Sequence, residues 1–410
     1  MTAEAPRQRG SPELFGLRSV RIEGFRSVAQ VTIAPGSVCA LVGEANAGKS
    51  NILAAIWALL EPSAPPLRPD DAFHGGDGHI EIAAALADGG TRSLRSSPPE
   101  PATTPGPQAP PVIFLPAALR SETVVAPSAT VSVAAAATEL LRSALAAQLP
   151  PRSATAPAVA LVDGIERCCS AGVSGLVLLI EEPELYLRPQ AQRFLYRLLR
   201  AFAAAGNQVI YSTHSPAFLN VSRLDQLVLV EHRYDVGTKV TQPLPLPADD
   251  TFRAMSEFDA ERSELFLSRA ALLVEGRTEK FAFPFLFQAL GYDADREGIT
   301  IVECGGKPNI PLFARVCNAT GVRYLVVHDR DAPLEREPIP SELAVNAAIA
   351  EAAGPEHTVV LTPDFEGVTG LLGRSRKPER AWRSFAGIGR AQIPAPLAEA
   401  VERVLTLAHA

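Results

Sequence analysis

The stretch VCALVGEANAGKSNILAAIWALL, residues 38–60, decides the fold of the N-terminal half of the chain. Residues 38–42 are apolar, as in a buried strand, and residues 50–60 are typical of a helix. Between them, GEANAGKS matches the pattern GxxxxGK[ST], a loop whose backbone N–H groups turn inward around phosphate oxygens. The lysine of such a loop neutralises phosphate charge, and the next hydroxyl reaches Mg²⁺. We therefore predict an ATP site here, bound by Gly43, Asn46, Gly48, Lys49, Ser50 and Asn51.

A second segment, LVLLIEEPELYL (176–187), supplies the acidic half of this site. Its apolar strand ends in Glu181 and Glu182, at the carboxyl end where open α/β sheets place their ligands. We expect Glu181 to hold Mg²⁺, directly or through water, and Glu182 to polarise the attacking water. The strand in VIYSTHSP (209–216) ends in His214, which could sense the γ-phosphate. A lone histidine is more often structural, but its position after the acidic strand favours a functional role.

Composition limits the class of protein. The chain has 410 residues, 47% of them hydrophobic, which predicts two domains with buried cores. Its five cysteines lack CxxC spacing, so neither a zinc site nor a disulfide framework is indicated, and a reducing cytoplasm is expected. No apolar signal core or membrane-spanning run is visible. A formal net charge of −7 means that any DNA contact would use a local basic patch.

Strand–helix alternation occurs twice along the chain, which predicts an α/β protein of two domains. We place the first domain at residues 1–255 and the second at residues 268–410. Within the first domain, residues 95–128 are rich in Pro, Ser and Thr and are interrupted by VIFLPAALR, and we expect the Pro-rich part to be a flexible surface insertion. No long heptad segment separates the nucleotide motifs, which excludes a coiled-coil arm.

The second domain carries acids where its predicted strands end. In ALLVEGRTEK (271–280) a strand ends in Glu275, and a helix follows with Glu279 in its first turn. In RYLVVHDRDAP (323–333) a strand is followed by Asp329 and Asp331. Parallel strands lying side by side would bring Glu275, Asp329 and Asp331 to one sheet edge, where they need a counter-charge such as Mg²⁺ or Mn²⁺. The alternative is that the acids lie on separate solvated loops.

Residues 17–220 resemble an ABC-type ATPase head of the DNA-repair and SMC-like group, through the motifs FRSV, EEPELYLRP and STHSP. This resemblance implies that Glu182 is the catalytic glutamate and His214 the switch histidine. It also implies that Arg26 lies near the nucleotide.

The chain departs from that group at two motifs. It has no glutamine at the position expected between residues 60 and 100. PPRSATAP (150–157) stands where an LSGGQ-like signature belongs. Because that signature completes the ATP site of the partner subunit in the group, we expect this chain to bind ATP well and to hydrolyse it slowly.

The order VEGRTE … HDRD resembles the Toprim fold, which topoisomerases, DnaG-type primases and certain nucleases share. An ABC head followed directly by a Toprim domain is the architecture of the OLD (overcoming lysogenization defect) nuclease family, which residues 15–385 resemble. The resemblance implies a metal site whose acids are Glu275, Glu279, Asp329 and Asp331.

The same resemblance points to two further residues near the C-terminus. LTPDFEGVTGLLG (361–373) matches the place of an additional metal-binding acid, with Glu366 as the first candidate and Asp364 as the second. RSRKPERAW (374–382) matches the stretch that holds a basic catalytic residue, for which Lys377 fits best. Glu366 and Lys377 could equally be ordinary surface charges.

The OLD resemblance implies a metal-dependent endonuclease or nickase that hydrolyses DNA with two divalent ions. ATP binding would control access, in a homodimer or higher oligomer. Anti-phage defence is the implied setting, sometimes with a UvrD-like helicase as partner. Two alternatives stay open: a nucleotide-dependent sensor or scaffold whose Toprim half binds metal without cutting, and an RNA-cleaving Toprim enzyme.

Overall fold

The computed structural model describes most of the chain. The described residues are 15–62, 64–97, 100–103, 109–117, 136–141, 143, 156–333, 336–371 and 377–410. One compact unit ends at Leu219 and resumes over Asp225–Gln242, and the other comprises Asn220–Leu224 and the chain from Pro243 onward. This division falls before the range 255–268 expected from the sequence. The reason is helix Ala248–Glu257, which belongs to the second unit because its Asp250 accepts two hydrogen bonds of 2.7 Å from Arg315.

The first unit is built on one sheet, in which the described residues form eleven strands. In chain order they are β1 (Leu17–Phe25), β2 (Val28–Ile33), β3 (Val38–Val42), β4 (Ile80–Leu86), β5 (Thr91–Ser97), β6 (Glu100–Thr103), β7 (Val112–Leu115), β8 (Val177–Glu181), β9 (Gln208–Thr213), β10 (Leu227–Arg233) and β11 (Gly237–Thr241). Their spatial order is β6-β5-β4-β1-β2-β11-β10-β3-β9-β8-β7.

The part of this sheet from β10 to β7 is parallel, and it positions the predicted ATP site. Strands β3 and β9 are buried along their whole length, as expected of parallel strands covered on both faces. Because β9 lies between β3 and β8, the carboxyl ends of these three strands meet at one edge. The phosphate loop, the acidic segment and the histidine segment therefore lie side by side.

Helices α1 (Lys49–Leu60) and α3 (Pro189–Ala204) flank this parallel region, and α2 (Ala156–Ser170) packs against α3. Helix α1 buries Ile52, Ile56 and Leu59 in the same core as β3 and β8. Each such side chain contributes about 1.5–3 kcal/mol when fully buried. This packing fixes the helix that begins at the phosphate loop.

Strand β7 lies in the apolar run that interrupts the Pro-rich stretch of residues 95–128. All four of its residues are buried, and it pairs in parallel with β8. The apolar run VIFL is a core strand between proline-rich stretches. Burying its side chains removes apolar surface from water, which contributes favourably to the free energy of folding. Residues 104–108 and 118–128 of the predicted insertion lie outside the described residues.

The second unit contains a parallel sheet that, in the described residues, has four strands in the order β13-β12-β14-β15. The strands are β12 (Ala270–Val274), β13 (Ile299–Glu303), β14 (Tyr324–Asp329) and β15 (Thr358–Leu361). The helices are α4 (Ala248–Glu257), α5 (Arg277–Leu290), α6 (Ile310–Thr320), α7 (Pro340–Ala353), α8 (Phe365–Thr369), α9 (Lys377–Phe385) and α10 (Ala395–His409). The predicted α/β class is confirmed in both units.

Strands β12 and β14 are neighbours at the centre of this sheet and are wholly buried. Their register pairs Val274 with Val327, so Glu275 and Asp329 follow at the same edge. Helices α5 and α10 cover the sheet with one continuous apolar core. Within the described part of the chain, no helix is both long enough and apolar enough to cross a membrane.

Candidate functional site

The phosphate loop of the first unit depends on two close approaches that only glycine allows. A Cβ on Gly43 would lie 1.9 Å from the carbonyl oxygen of Val230. Gly48 has φ +107, and a Cβ there would lie 2.1 Å from Oγ1 of Thr238. The loop therefore stays tight against β10 and β11, and α1 begins directly after it with its first N–H groups unpaired within the helix.

Lys49 lies at the start of α1 and is buried. Its Nζ donates to the carbonyl oxygens of Gly43 and Glu44, at 2.8 Å and 2.7 Å. Burial lowers the pKa of Lys49 to about 8, against the opposing effect of the nearby Glu182 and Glu184 carboxylates. A phosphate in the loop would supply the negative charge that favours the charged lysine.

Asn51 and Arg26, two of the predicted nucleotide residues, make hydrogen bonds to other side chains of the first unit. The Asn51 amide donates to Oγ of Ser27 at 2.7 Å, and Ser27 in turn lies 2.7 Å from Oγ1 of Thr238. Arg26 has φ +50 and donates from Nε to Asp71 at 2.9 Å. Asn46 and Ser50, by contrast, are exposed.

The acidic segment and the histidine segment meet next to the loop. Glu182 has φ +43, and its N–H donates to the Ser212 carbonyl oxygen at 2.9 Å. Its Oε1 lies 3.5 Å from Nε2 of His214. Burial and Lys49 lower the pKa of His214, and Glu182 opposes them. Glu181 instead uses Oε2 to accept from the Ala117 N–H at 2.9 Å, so one oxygen of this predicted Mg²⁺ ligand is engaged by the backbone.

Glu184 is a residue of this site that sequence reasoning missed. It accepts from the His214 N–H at 2.6 Å and from Oγ1 of Thr213 at 2.9 Å, so it fixes the turn that carries the histidine. Burial raises its pKa, and its Oε2 is buried with no hydrogen-bond partner among the described atoms. The pattern EEPE was visible in the sequence, but spacing alone did not separate its third acid from a surface charge.

In the second unit, Glu275 and Asp329 lie together at the ends of β12 and β14. Oε1 of Glu275 accepts from the Asp329 N–H at 2.7 Å. Oδ1 of Asp329 accepts from the Phe365 N–H at 2.8 Å, which ties the start of α8 to the same edge. The alternative of separate solvated loops is therefore wrong for this pair.

Glu279 and Asp331 complete the set of four acids predicted for this edge. Glu279 is buried in the first turn of α5, and its charge adds to the effect of burial, which raises the pKa of both Glu275 and Asp329. Asp331 has φ +64, and its N–H donates to the Pro363 carbonyl oxygen at 2.8 Å. These contacts set the direction in which the chain leaves β14.

Comparisons with known proteins match one family model in each half of the chain. Residues 266–331 match the family model "Overcoming lysogenization defect protein-like, TOPRIM domain". The chain carries an OLD-like Toprim domain. Residues 130–220 match the model "AAA domain, putative AbiEii toxin, Type IV TA system". An ATPase domain followed by an OLD-like Toprim domain confirms the predicted resemblance to the OLD family.

Relatives of this OLD-like chain are longer than the regions they share with it. An OLD nuclease of Thermus scotoductus is 37% identical over 251 residues, which are 55% of this chain and 47% of that protein. The Old nuclease of Escherichia phage P2 is 28% identical over 165 residues, 38% of this chain and 28% of that protein. The solved C-terminal region of the Burkholderia pseudomallei OLD protein has 18% identity and a TM-score of 0.29, covering 35% of this chain and 99% of that one. The chain thus spans at most about half the length of the curated relatives it matches.

Lys307 is a second residue that sequence reasoning missed in the OLD-like domain. It follows the glycine pair after β13 and is only 6% exposed. Its Nζ donates to the Asp329 carbonyl oxygen at 2.5 Å and makes a short contact with Oδ2 of Asp331. Oε2 of Glu342 lies 3.8 Å from the same Nζ. The segment ECGGKPN was visible in the sequence, but nothing local showed that its lysine reaches the acids of another strand.

The candidates in the C-terminal segment lie on two short helices. Asp364 caps α8, with Oδ1 accepting from the Gly367 N–H at 2.6 Å, so its side chain is engaged in the turn. Glu366 lies in the first turn of α8, one residue after the N–H that binds Asp329. Lys377 begins α9, and its side chain lies outside the described part of the structure.

The chemistry of this carboxylate cluster fits a hard divalent cation. Burial, followed by the neighbouring acids, raises the pKa of Asp329 to about 8, and burial raises that of Glu275 to about 7. Mg²⁺ and Mn²⁺ prefer carboxylate oxygens as ligands, and either ion would supply the positive charge that these acids need. Among the described residues, no three His, Cys, Asp or Glu side chains already stand in a metal-holding arrangement. The Asp331 carboxylate contacts the Lys307 ammonium, so it would have to leave that contact in order to bind a metal ion.

Proposed function

We propose that this chain is a metal-dependent nuclease that hydrolyses DNA phosphodiester bonds at the carboxylate cluster and is controlled by ATP in its first unit. The observation that carries the proposal is the 2.7 Å contact between Glu275 and the Asp329 backbone at the ends of neighbouring parallel strands. The match to the OLD-like Toprim model and the OLD nuclease relatives support the same reaction.

Five acids would hold the metal ions. They are Glu275, Glu279, Asp329, Asp331 and Glu366. Two bound Mg²⁺ or Mn²⁺ ions would supply an activated water and stabilise the charge on the leaving oxygen. The buried acids must lose their protons to bind a metal ion. The low exposure of Asp329 and Glu279 excludes bulk water from the part of the site that these two residues form. Lys377 would stabilise the charge that develops on the scissile phosphate.

In the first unit, Lys49 and the N–H groups of residues 43–51 would bind the phosphates of ATP, and Ser50 and Glu181 would hold its Mg²⁺. Glu182 would orient the attacking water, and His214 beside it would respond to the γ-phosphate. The Lys49 ammonium donates hydrogen bonds to carbonyl oxygens of the loop. When ATP binds, this ammonium would leave the carbonyl oxygens and bind a phosphate oxygen instead. Slow turnover would make this unit a switch in a homodimer or higher oligomer. The signature position at residues 150–155 lies outside the described residues.

DNA is the proposed substrate because the relatives named above are OLD nucleases. A cytoplasmic role in anti-phage defence, with a helicase or other defence protein as partner, extends that proposal. The non-cutting sensor and the RNA-cleaving enzyme are the outcomes against which it is tested.

The test is cleavage of supercoiled plasmid by the purified chain with Mg²⁺ or Mn²⁺, with and without ATP. We expect nicking that Asp329→Asn abolishes, because the amide keeps the hydrogen bond to Phe365 but loses the charge. Lys49→Ala should keep the nicking and lose its response to ATP. ATP binding with no cleavage of plasmid or RNA would favour the sensor and contradict the proposal, and cleavage of RNA alone would reassign the substrate.

A further inference from the structure

The acids of the second unit are accompanied by a cation that the chain supplies itself. Lys307 is 6% exposed, and its ammonium contacts the Asp331 side chain, the Asp329 carbonyl oxygen and, at 3.8 Å, Glu342. Burial raises the pKa of Glu275, and the charge of Lys307 opposes that rise. A buried ammonium requires such oxygen partners, because burial without them is strongly unfavourable.

The backbone that carries Lys307 is fixed at the same edge as the acids. The N–H of Gly306 donates to the Glu275 carbonyl oxygen at 2.8 Å, and the N–H of Cys304 donates to that of Val274 at 2.9 Å. Gly305 and Gly306 have φ +76 and +121, which turn the chain back toward β14. The lysine therefore reaches the acids through its flexible side chain, and that side chain can move while its backbone stays in place.

We infer that Lys307 is the internal counter-ion of the metal-free carboxylate cluster, and that a divalent cation displaces its ammonium from Asp331 when it binds. The inference rests on the proposed function, because it assumes that Asp329 and Asp331 take the metal. A carboxylate cannot give the same oxygen at bonding distance to an ammonium and to a divalent ion without strong repulsion between the two cations. Lys307 would thus weaken metal binding and stabilise the acids while no metal is present.

The test measures binding of Mn²⁺ to the full chain, without nucleotide, after removal of metals with EDTA. Free Mn²⁺ is followed by its electron paramagnetic resonance signal, and binding that is lost in Asp329→Asn is assigned to this cluster. We expect Lys307→Met to bind Mn²⁺ about tenfold more tightly than wild type, since one nearby charge changes the proton affinity of a carboxylate by about this factor or more. Lys307→Arg keeps the charge and should stay within about twofold of wild type.

Arg403→Met is the matched control. Arg403 is a partly buried cation that donates to the carbonyl oxygens of Thr358, Pro355 and Glu356 at the opposite end of β15. Its loss should leave Mn²⁺ affinity unchanged. Lys307→Met should also unfold at lower temperature than wild type in EDTA and regain stability with Mn²⁺, which a purely structural lysine would not do.

Wild-type protein gives a second readout that does not depend on a variant that folds. Acetylation of Lys307, followed by mass spectrometry, should be slow in EDTA and faster when Mn²⁺ is bound, whereas the half-exposed Lys239 should react equally in both. Unchanged Lys307 reactivity at saturating Mn²⁺, or a Lys307→Met protein that binds Mn²⁺ no more tightly, would overturn this inference and leave the nuclease proposal standing. No Asp329-dependent Mn²⁺ binding in any variant would overturn both.

Discussion

At the scale of residues, the pKa values of the buried acids give the clearest consequence. Burial raises the pKa of Asp329 to about 8 and that of Glu275 to about 7, above the usual values of these groups in an unfolded chain. Metal-free folded protein therefore binds more protons than the unfolded chain between roughly pH 4 and pH 8, so this contribution to stability is full below about pH 4 and is lost as the pH rises through 7 and 8.

We predict that the melting temperature of wild type in EDTA falls more between about pH 6 and pH 8.5 than that of Asp329→Asn. The variant has no carboxyl proton to lose at position 329. It therefore serves as the control for the general effect of pH on the melting temperature. Scanning calorimetry of both proteins over this range makes the comparison. Parallel curves for the two proteins would contradict the raised pKa of Asp329.

Glu182 carries the second residue-scale prediction, because it lies 3.5 Å from His214 beside the phosphate loop. Glu182→Gln should lower ATP hydrolysis by about 10²-fold or more, as expected for loss of a group that orients the attacking water. ATP affinity, measured with a fluorescent analogue, should change little because Lys49 and the loop remain. Hydrolysis at the wild-type rate would exclude this role for Glu182.

Individual residues also show which parts of the site could be predicted from the sequence and which could not. Glu275, Asp329 and Glu182 were found because each follows an apolar strand, and parallel strands end at a common edge. Lys307 and Glu184 were missed because their roles come from contacts across distant segments, between β13 and β14 and between β8 and β9. Periodicity identifies the element a side chain belongs to, but it does not show which other element that side chain reaches.

At the scale of elements, the parallel strands β3 and β12 were predictable because both of their faces are buried and their sequences are continuously apolar. The run that forms β7 was visible as an interruption of the Pro-rich stretch, but four apolar residues between prolines are too few to distinguish a strand from a loop. Residues 248–255 fell within the first predicted domain because the ion pair of Asp250 with Arg315 has no local sequence signal.

Phe114 tests whether β7 belongs to the core. It is 7% exposed and packs against Trp57 of α1 with ring centroids 5.6 Å apart. Phe114→Ala should lower the free energy of unfolding of the first unit by about 3–5 kcal/mol. Tyr234→Ala, at a fully exposed turn, should leave it unchanged in the same urea titration. Equal stability of both variants would mean that β7 is a surface segment.

At the scale of the whole molecule, the chain joins an ATPase domain to an OLD-like Toprim domain, and the proposed homodimer would link the two activities. We predict that ATP increases the mass of Glu182→Gln in light scattering, because this variant should hold ATP without hydrolysing it. Lys49→Ala, which loses the phosphate-binding ammonium, should show no increase. An unchanged mass in both variants would argue against nucleotide-driven association.

The position of bound metal is the most direct test of the nuclease centre. Crystals of the chain soaked in Mn²⁺ would show the ion by its anomalous scattering. We predict a peak about 2.0–2.2 Å from carboxylate oxygens of both Glu275 and Asp329, with the Lys307 ammonium moved away from Asp331. A saturated crystal with no peak between Glu275 and Asp329 would contradict metal-dependent hydrolysis at this edge of the sheet.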